Sequence, residues 1–254
     1  MRQNIINNFF RPINPHMQIA DSEYAQTAVC ISMSDALARN TNYSLYIIDY
    51  NHRNFLYVSS NPLFLCSRSP EEVRHKGYAF YFEVVPPDEI NRLMEINEAG
   101  FRFYYDQPIE KRLDLSIEYN FHICTSERHS HLIHHKLTPI LLSDKGDIWL
   151  ALCTVSLSPE KSIGDVIISD HTCTDRYIYS FEGKRWRKQP ELILSDREKE
   201  ILQLSVKGLS NTEIGETLFI DANTVKFHKK KLFEKLHAEN ITEAVGIAAN
   251  LRLI

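Results

Sequence analysis

Lys226, Lys229, Lys230, Lys231 and Lys235 stand close together in "KFHKKKLFEK", against Glu234 alone, in a chain whose formal net charge is −4. Lysine ammonium groups at this density are suited to phosphate oxygens, and long side chains on one helix face reach base edges in a DNA groove. A second concentration of chemistry-bearing side chains is "RHSHLIHHK", with His129, His131, His134 and His135. Imidazoles can ligate a metal or titrate near neutral pH. In an alternating strand His129 and His131 share one face, while His134 and His135 point oppositely, and Glu127 is the one nearby carboxylate. The cluster is expected as a solvated hairpin tip, with no metal site. Cys30, Cys66, Cys124, Cys153 and Cys173 are odd in number and lack C-x-x-C spacing, so they signal neither zinc nor a disulfide framework. No Ser/His/Asp arrangement, phosphate loop or paired-carboxylate site stands out, so no enzymatic role and no catalytic residue is predicted.

The elements that would carry the lysines are helical. "SDRE" places Ser195 as a cap with Glu198 three residues on, a capping box, before Ile201, Leu202 and Leu204. Gly208 stops that helix. Ser210 with Glu213 opens a second helix, with Ile214 and Leu218 inward and Gly215 where another helix could approach. Asp221 opens a third, running to about His237, and Thr242 a fourth, running nearly to Ile254. At 100° per residue, Val225, Leu232 and Leu236 cluster on one side of the third helix. Asn223, Lys226, Phe227 and Lys230 lie opposite, with Thr224 and Lys231 on one edge, while Lys229 sits near the core boundary and snorkels outward. A short helix, a tight turn and a second helix with opposed apolar and basic faces suit a helix-turn-helix.

This segment, "LSDREKEILQLSVKGLSNTEIGETLFIDANTVKFHKKKLFEKLHAENITEAV", resembles the LuxR-type DNA-binding domain, a four-helix helix-turn-helix module. The resemblance spans Leu194 to Leu253 and rests on the L-S-x-R-E start, the G-L-S-N-x-E-I core and T-V-K-x-H followed by K-L. It implies major-groove contacts from Lys226, Phe227 and Lys230. It implies backbone contacts from Asn211, Thr212, Thr224 and His228. Asn223, Val225 and Lys231 complete the expected DNA-binding set. In the family the fourth helix forms a dimer interface, which here implies Ala244, Ile247, Ala248 and Leu251. Two residues and one segment depart from the pattern: Asp221 replaces the usual Ser cap, Gly215 the usual Ala, and "ENIT" a segment that often carries Arg.

Upstream the texture is mixed. A loose arm precedes a helix over Asp21–Arg39, capped by Asp21 or Ser22, with Tyr24, Ala28, Ile31 and Ala38 at helical spacing. Strands are expected at Ser44–Asp49 and Phe55–Ser59, then a helix capped by Ser69, then another over Pro86–Tyr105. Strands follow at Leu115–Ser126, Leu132–Ser143 and Ile148–Leu157, with a shorter pair at Asp165–Ser169 and Arg176–Phe181. The order β-β-α-α-α-β-β-β over Tyr43–Pro159 resembles a PAS fold, as do Asn61, the S-x-E-E-like helix and the segment Pro86–Asp88. That resemblance implies a pocket between sheet and helices for a small ligand, a cofactor or nothing; no cofactor is predicted. Cys66 lacks the motif that a flavin adduct would need.

The expected fold class is α+β: a PAS-like antiparallel sheet with flanking helices over 1–182, a linker over 183–190 ("GKRWRKQP"), and an all-α four-helix helix-turn-helix domain over 191–254. The chain shows no signal peptide or membrane-spanning run and is expected in the cytoplasm. Two functions compete. One is a sequence-specific transcriptional regulator that binds double-stranded DNA as a homodimer, its input a small ligand or signalling protein read by the PAS-like domain. The other is a protein-interaction and dimerisation module without direct DNA readout. Charge removal at Lys226 and Lys230 separates them.

Overall fold

The computed structural model describes residues 9–125, 129–173, 175–190, 192–251 and 253. Residues 1–8 of the expected arm, Ser126, Glu127 and the expected end of the fourth helix at Ile254 lie outside them; the rest of that arm, expected loose over about the first 15 residues, instead buries Phe9, Phe10 and Ile13 in the main core. The chain divides into two units, Met1–Leu157 with Ser162–Gln189, and Ser158–Lys161 with Pro190–Ile254.

The first unit is built on one antiparallel sheet. Its strands are β1 (Ser44–Asp49), β2 (Asn54–Val58), β3 (Leu115–Cys124), β4 (Ser130–Leu142), β5 (Ile148–Leu157), β6 (Ile167–Asp170), β7 (Arg176–Ser180) and β8 (Arg185–Gln189). They lie in the order β2-β1-β5-β4-β3-β6-β7-β8. Helix α1 (Thr27–Asn40) precedes β1. Helices α2 (Pro62–Leu65), α3 (Pro70–Lys76), α4 (Tyr81–Val84) and α5 (Pro87–Tyr105) stand between β2 and β3. Two strands, a helical layer and three strands, closed as β2-β1-β5-β4-β3, make a PAS-like sheet, which β6–β8 extend at the β3 edge.

Local chemistry explains the helical layer. Ser69 and Glu72 form a capping box at α3, with Pro70 at the first helical position. Asn61 stands at the N-cap of α2, and its amide reaches back to the Ala38 carbonyl, 3.3 Å. The sheet itself is apolar on both faces around β1, every residue of which is buried. Tyr46, Ile48 and Tyr50 point into the main core beneath α2–α5. Leu45 and Ile47 point the other way, into a second cluster with Trp149, Tyr57 and Ala38 under α1. A strand buried on both sides reads as a continuous apolar run, as "SLYIID" does.

Three expectations change. The linker stretch instead supplies β8, an edge strand paired with β7 from Arg176↔Gln189 to Ser180↔Arg185. Its anchor is Trp186, whose indole donates to the Ala99 carbonyl of α5 (3.1 Å) and packs on Phe103 and Tyr179. The exposed Arg185, Arg187 and Lys188 give this edge the positive charge that discourages strand addition. Secondly, neither Asp21 nor Ser22 caps α1; a 3-10 turn over Glu23–Gln26 leads into it, and Ala28 faces outward.

Thirdly, His134 and His135 are not at a solvated tip. Both lie within β4, and His135 is buried between Tyr119, Phe121 and Tyr46. The Tyr46 hydroxyl bridges the Tyr81 hydroxyl, 2.5 Å, and His135 Nε2, 2.7 Å. His131 is half-buried, and among the described residues no His/Cys/Asp/Glu group is arranged to hold a metal. Burial, then the neighbouring His134, holds the His135 imidazolium form off and takes its pKa from 6.5 down to about 3. Burial also lowers His134, with Glu118 opposing.

A depressed imidazole pKa binds fewer protons folded than unfolded. Its stabilisation is therefore complete above the ordinary value of 6.5 and is lost as pH falls toward about 3. Unfolding of the PAS-like unit followed by near-ultraviolet circular dichroism should show falling stability from about pH 7.5 to about pH 5. His135→Leu should flatten that limb; an unchanged slope would mean that this imidazole is not kept neutral by the fold.

Candidate nucleic-acid interface

The second unit holds four helices: α6 (Asp196–Val206), α7 (Asn211–Leu218), α8 (Ala222–Leu236) and α9 (Ile241–Asn250). Each start has a side-chain cap. Ser195 and Ser210 both form reciprocal capping boxes with Glu198 and Glu213. Asp221 accepts from the Asn223 N–H at 2.7 Å, and Asn240 from the Glu243 N–H at 2.9 Å. Each such cap stabilises its helix by about 1 kcal/mol. Gly208 takes the left-handed conformation after α6, φ +82°, which costs glycine least.

The turn between α7 and α8 is tight. Phe219 caps α7 in the left-handed region with φ 55°, and the Ile220 N–H closes onto the Gly215 carbonyl at 2.9 Å. Gly215 is buried against the turn: a Cβ there would stand 2.6 Å from the Ile220 carbonyl oxygen. This close approach gives a physical reason for glycine where the resemblance leads one to expect alanine.

Val225, Leu232 and Leu236 fix the rotation of α8. Val225 is buried with Ile201 of α6 and Ile214 of α7. Leu232 and Leu236 join Leu194, Leu202, Ala244 and Ala248. An ion pair reinforces this. The Lys235 ammonium lies 2.7 Å from the buried Glu198 carboxylate and 3.3 Å from the Ile193 carbonyl. Burial raises the Glu198 pKa, but Lys235 and the Ser195 hydrogen bonds outweigh it and hold the carboxyl below its usual range.

The opposite face of α8 is open. Asn223, Thr224, Lys226, Phe227, Lys230 and Lys231 are exposed, and His228 is half-buried. On α7, Thr212 is exposed and Asn211 half-buried. Phe227 is 53% exposed, unusual for an aromatic residue, and the Lys231 ammonium sits 4.5 Å over its ring centroid. Lys230 pairs loosely with Glu234, at 3.9 Å. Burial lowers the Lys229 pKa, in keeping with its place at the core boundary. Lys226, Phe227 and Lys230 thus share one outward surface.

Two expected sets lose members to the core. Val225 is fully buried, so its side chain is removed from the DNA-facing set. Ala244 and Ala248 are likewise fully buried against α6 and α8. A helix packed on its own unit spends its small-residue stripe there, and of the expected dimer stripe Ile247 and Leu251 remain partly exposed. The Glu198–Lys235 pair is invisible in the sequence pattern. Lys235 reads there as part of the basic run, whereas its ammonium is committed to the unit's interior edge.

Residues 192–248 match the family of bacterial regulatory proteins, luxR family. Among curated proteins, the chain is 44% identical over 78 residues to the CsgBAC operon transcriptional regulatory protein of Escherichia coli. That match spans 30% of this chain and 36% of the relative. It is 43% identical over 65 residues to the regulatory protein SdiA of Escherichia coli, spanning 26% and 27%. The chain thus covers about a third of the length of such relatives. Among solved structures, it aligns with the Vibrio cholerae VqmA dimer at TM-score 0.34 and 17% identity, over 85% of each chain. It also aligns with the PAS/PAC sensor domain of a Marinobacter aquaeolei diguanylate cyclase at TM-score 0.33 and 10% identity, over 45% and 94%. These structural scores are too low to add to the fold already described.

Gly215→Ala is a direct check on the turn. Propensity alone would stabilise α7 by up to ~1 kcal/mol. The clash with the Ile220 carbonyl should cancel that gain, leaving thermal stability unchanged or lower. A rise in Tm would show that the turn has room for the methyl group.

Proposed function

We propose, from the premise that residues 192–248 form a luxR-type helix-turn-helix unit, that this chain is a sequence-specific DNA-binding transcriptional regulator. The observation that carries the reading is the exposed surface of α8. Lys226, Phe227 and Lys230 stand opposite a fully buried Val225–Leu232 side in a chain of net charge −4. In this reading α8 enters the major groove. Lys226 and Lys230 meet guanine edges or flanking phosphates, and Phe227 makes apolar contact with the groove floor. Asn211, Thr212, Thr224 and His228 hold the backbone, with Lys231 beside them. The protein acts in the cytoplasm as a homodimer on two half-sites related by approximate two-fold symmetry.

The PAS-like unit supplies the input. Between α5 and the sheet it encloses a cavity of about 20 Å³, lined in part by Tyr50, Tyr104 and Tyr119. That is room for roughly one water. The buried Tyr50 and Tyr104 hydroxyls have no hydrogen-bond partner among the described residues. Unpaired buried hydroxyls are costly, and a water or small polar group in this cavity would offset that cost at the Tyr104 hydroxyl. A ligand of more than a few atoms enters only if α5 moves from the sheet.

Selection from a randomised DNA pool with the full chain should enrich a two-fold symmetric motif, with affinity falling steeply as salt rises. Replacing both Lys226 and Lys230 by Gln should weaken binding and reduce the log–log salt slope by about 2, at roughly 0.9 for each phosphate no longer neutralised. Affinity and slope both unchanged would remove the mechanism and leave a protein-interaction role.

A further inference from the structure

The β7–β8 hairpin sorts its charges by face. Within "KRWRK", residues 184–188, every residue but the tryptophan is basic, in a chain with 33 acidic residues against 29 lysines and arginines. Trp186 turns toward α5. Lys184 and Lys188, two residues to either side of it, are ion-paired with Glu95 and Asp175. Arg185 and Arg187 point to the opposite face by strand alternation. Both are exposed, and among the described residues neither guanidinium has a hydrogen-bonded or ion-paired partner. Across the ladder they stand opposite Ser180 and Ile178, both uncharged. Arg176 shares their face, opposite Gln189, but it is half-buried and its charge is balanced by Glu118 and Asp165. Guarding a sheet edge accounts for one charge on β8, which Lys188 supplies. It does not account for two unpartnered guanidiniums on one face, about 6.6 Å apart at two strand rises.

We propose that Arg185 and Arg187 bind phosphates of the same DNA that α8 reads, so that the PAS-like unit contributes a sequence-independent contact of its own. This rests on the DNA-binding function proposed above. Chemistry is the first reason. A guanidinium is planar, always charged and weakly hydrated, and it meets a phosphate through two parallel N–H donors. The tether is the second. β8 ends at Gln189, and Ser195 already caps α6. Six residues of chain span at most about 22 Å. DNA held by the helical unit therefore sees both arginines at a high local concentration. An anionic lipid surface shares the phosphate chemistry. Elements that lie on membranes, however, set exposed aromatic or aliphatic side chains beside their basic ones. The aromatic residue of this strand is spent instead on α5, where Trp186 donates to the Ala99 carbonyl and packs on Phe103.

Fluorescence anisotropy of the full chain on a duplex carrying its selected motif, over a salt series, is the test. The double variant R185Q/R187Q should bind about tenfold or more weakly at 0.1 M salt. Its log–log salt slope should fall by about 2 for each subunit bound, at roughly 0.9 per phosphate. The motif enriched from a randomised pool should stay the same, because phosphate contacts carry no sequence information. R185K/R187K keeps both charges and should restore most of the slope. K188Q should leave the slope as in the wild type, since Asp175 already holds that ammonium. Thermal unfolding by circular dichroism should be unchanged in all of them, as the positions are exposed. Three outcomes overturn the contact: R185Q/R187Q binding with wild-type affinity and slope, a K188Q effect as large as that of the arginines, or arginine-dependent binding to phosphatidylserine vesicles with DNA binding unaffected. A full chain that binds no duplex overturns this contact and the proposed function together. Wild-type binding by R185Q/R187Q beside weakened binding by K226Q/K230Q overturns this contact alone.

Discussion

Everything proposed for the helical unit depends on which side of α8 is buried. Val225, Leu232 and Leu236 are the large apolar side chains of that helix taken from water, and they fall within one narrow sector. Burying side chains of this kind stabilises by about 1.5–3 kcal/mol each. Turning α8 by a quarter-turn in its seat would exchange them for lysines, whose burial without partners costs several kcal/mol each. The helix therefore has one rotation, and the lysine surface faces outward as its consequence. The Glu198–Lys235 pair sharpens this, since it draws the lysine nearest the α8 C-terminus onto α6. It leaves Lys226, Lys230 and Lys231 as the outward cationic surface.

A different constraint shapes the PAS-like unit. A sheet whose first strand is buried throughout needs cover on both faces. The face toward α2–α5 is filled with rings: Tyr46 stacks on Phe64 at 4.3 Å, and Phe55, Tyr78 and Tyr81 surround them. The other face is covered by α1. So thin a layer has two surfaces, and the apolar outer one follows from no demand of the sheet.

How far the sequence alone carried depended on the range of the forces. The starts of three C-terminal helices were legible because each is written in adjacent residues, Ser195 with Glu198, Ser210 with Glu213, and Asp221 beside Asn223, whereas the fourth, expected from Thr242, begins at Ile241 under an Asn240 cap. The face of α8 followed from periodicity. What failed was tertiary. β8 reads as a basic linker because its single apolar anchor, Trp186, finds its partners at Ala99 and Phe103, far away along the chain. His134 and His135 read as a hairpin tip because nothing local reveals that Tyr46 and Tyr81 close over His135. Ala28 fits a helical stripe, and so do Ala244 and Ala248. Spacing tells that a face is apolar, but not whether the cover is the same chain or another.

That ambiguity links the two units. On α9 the small-residue stripe turned out to serve the interior, and on α1 Ala28 stands outside it while Ala38 stands within. A change in the ring-filled core on the inner side of β1 would reach α1 through Leu45 and Ile47, one residue away from Tyr46 along the same strand.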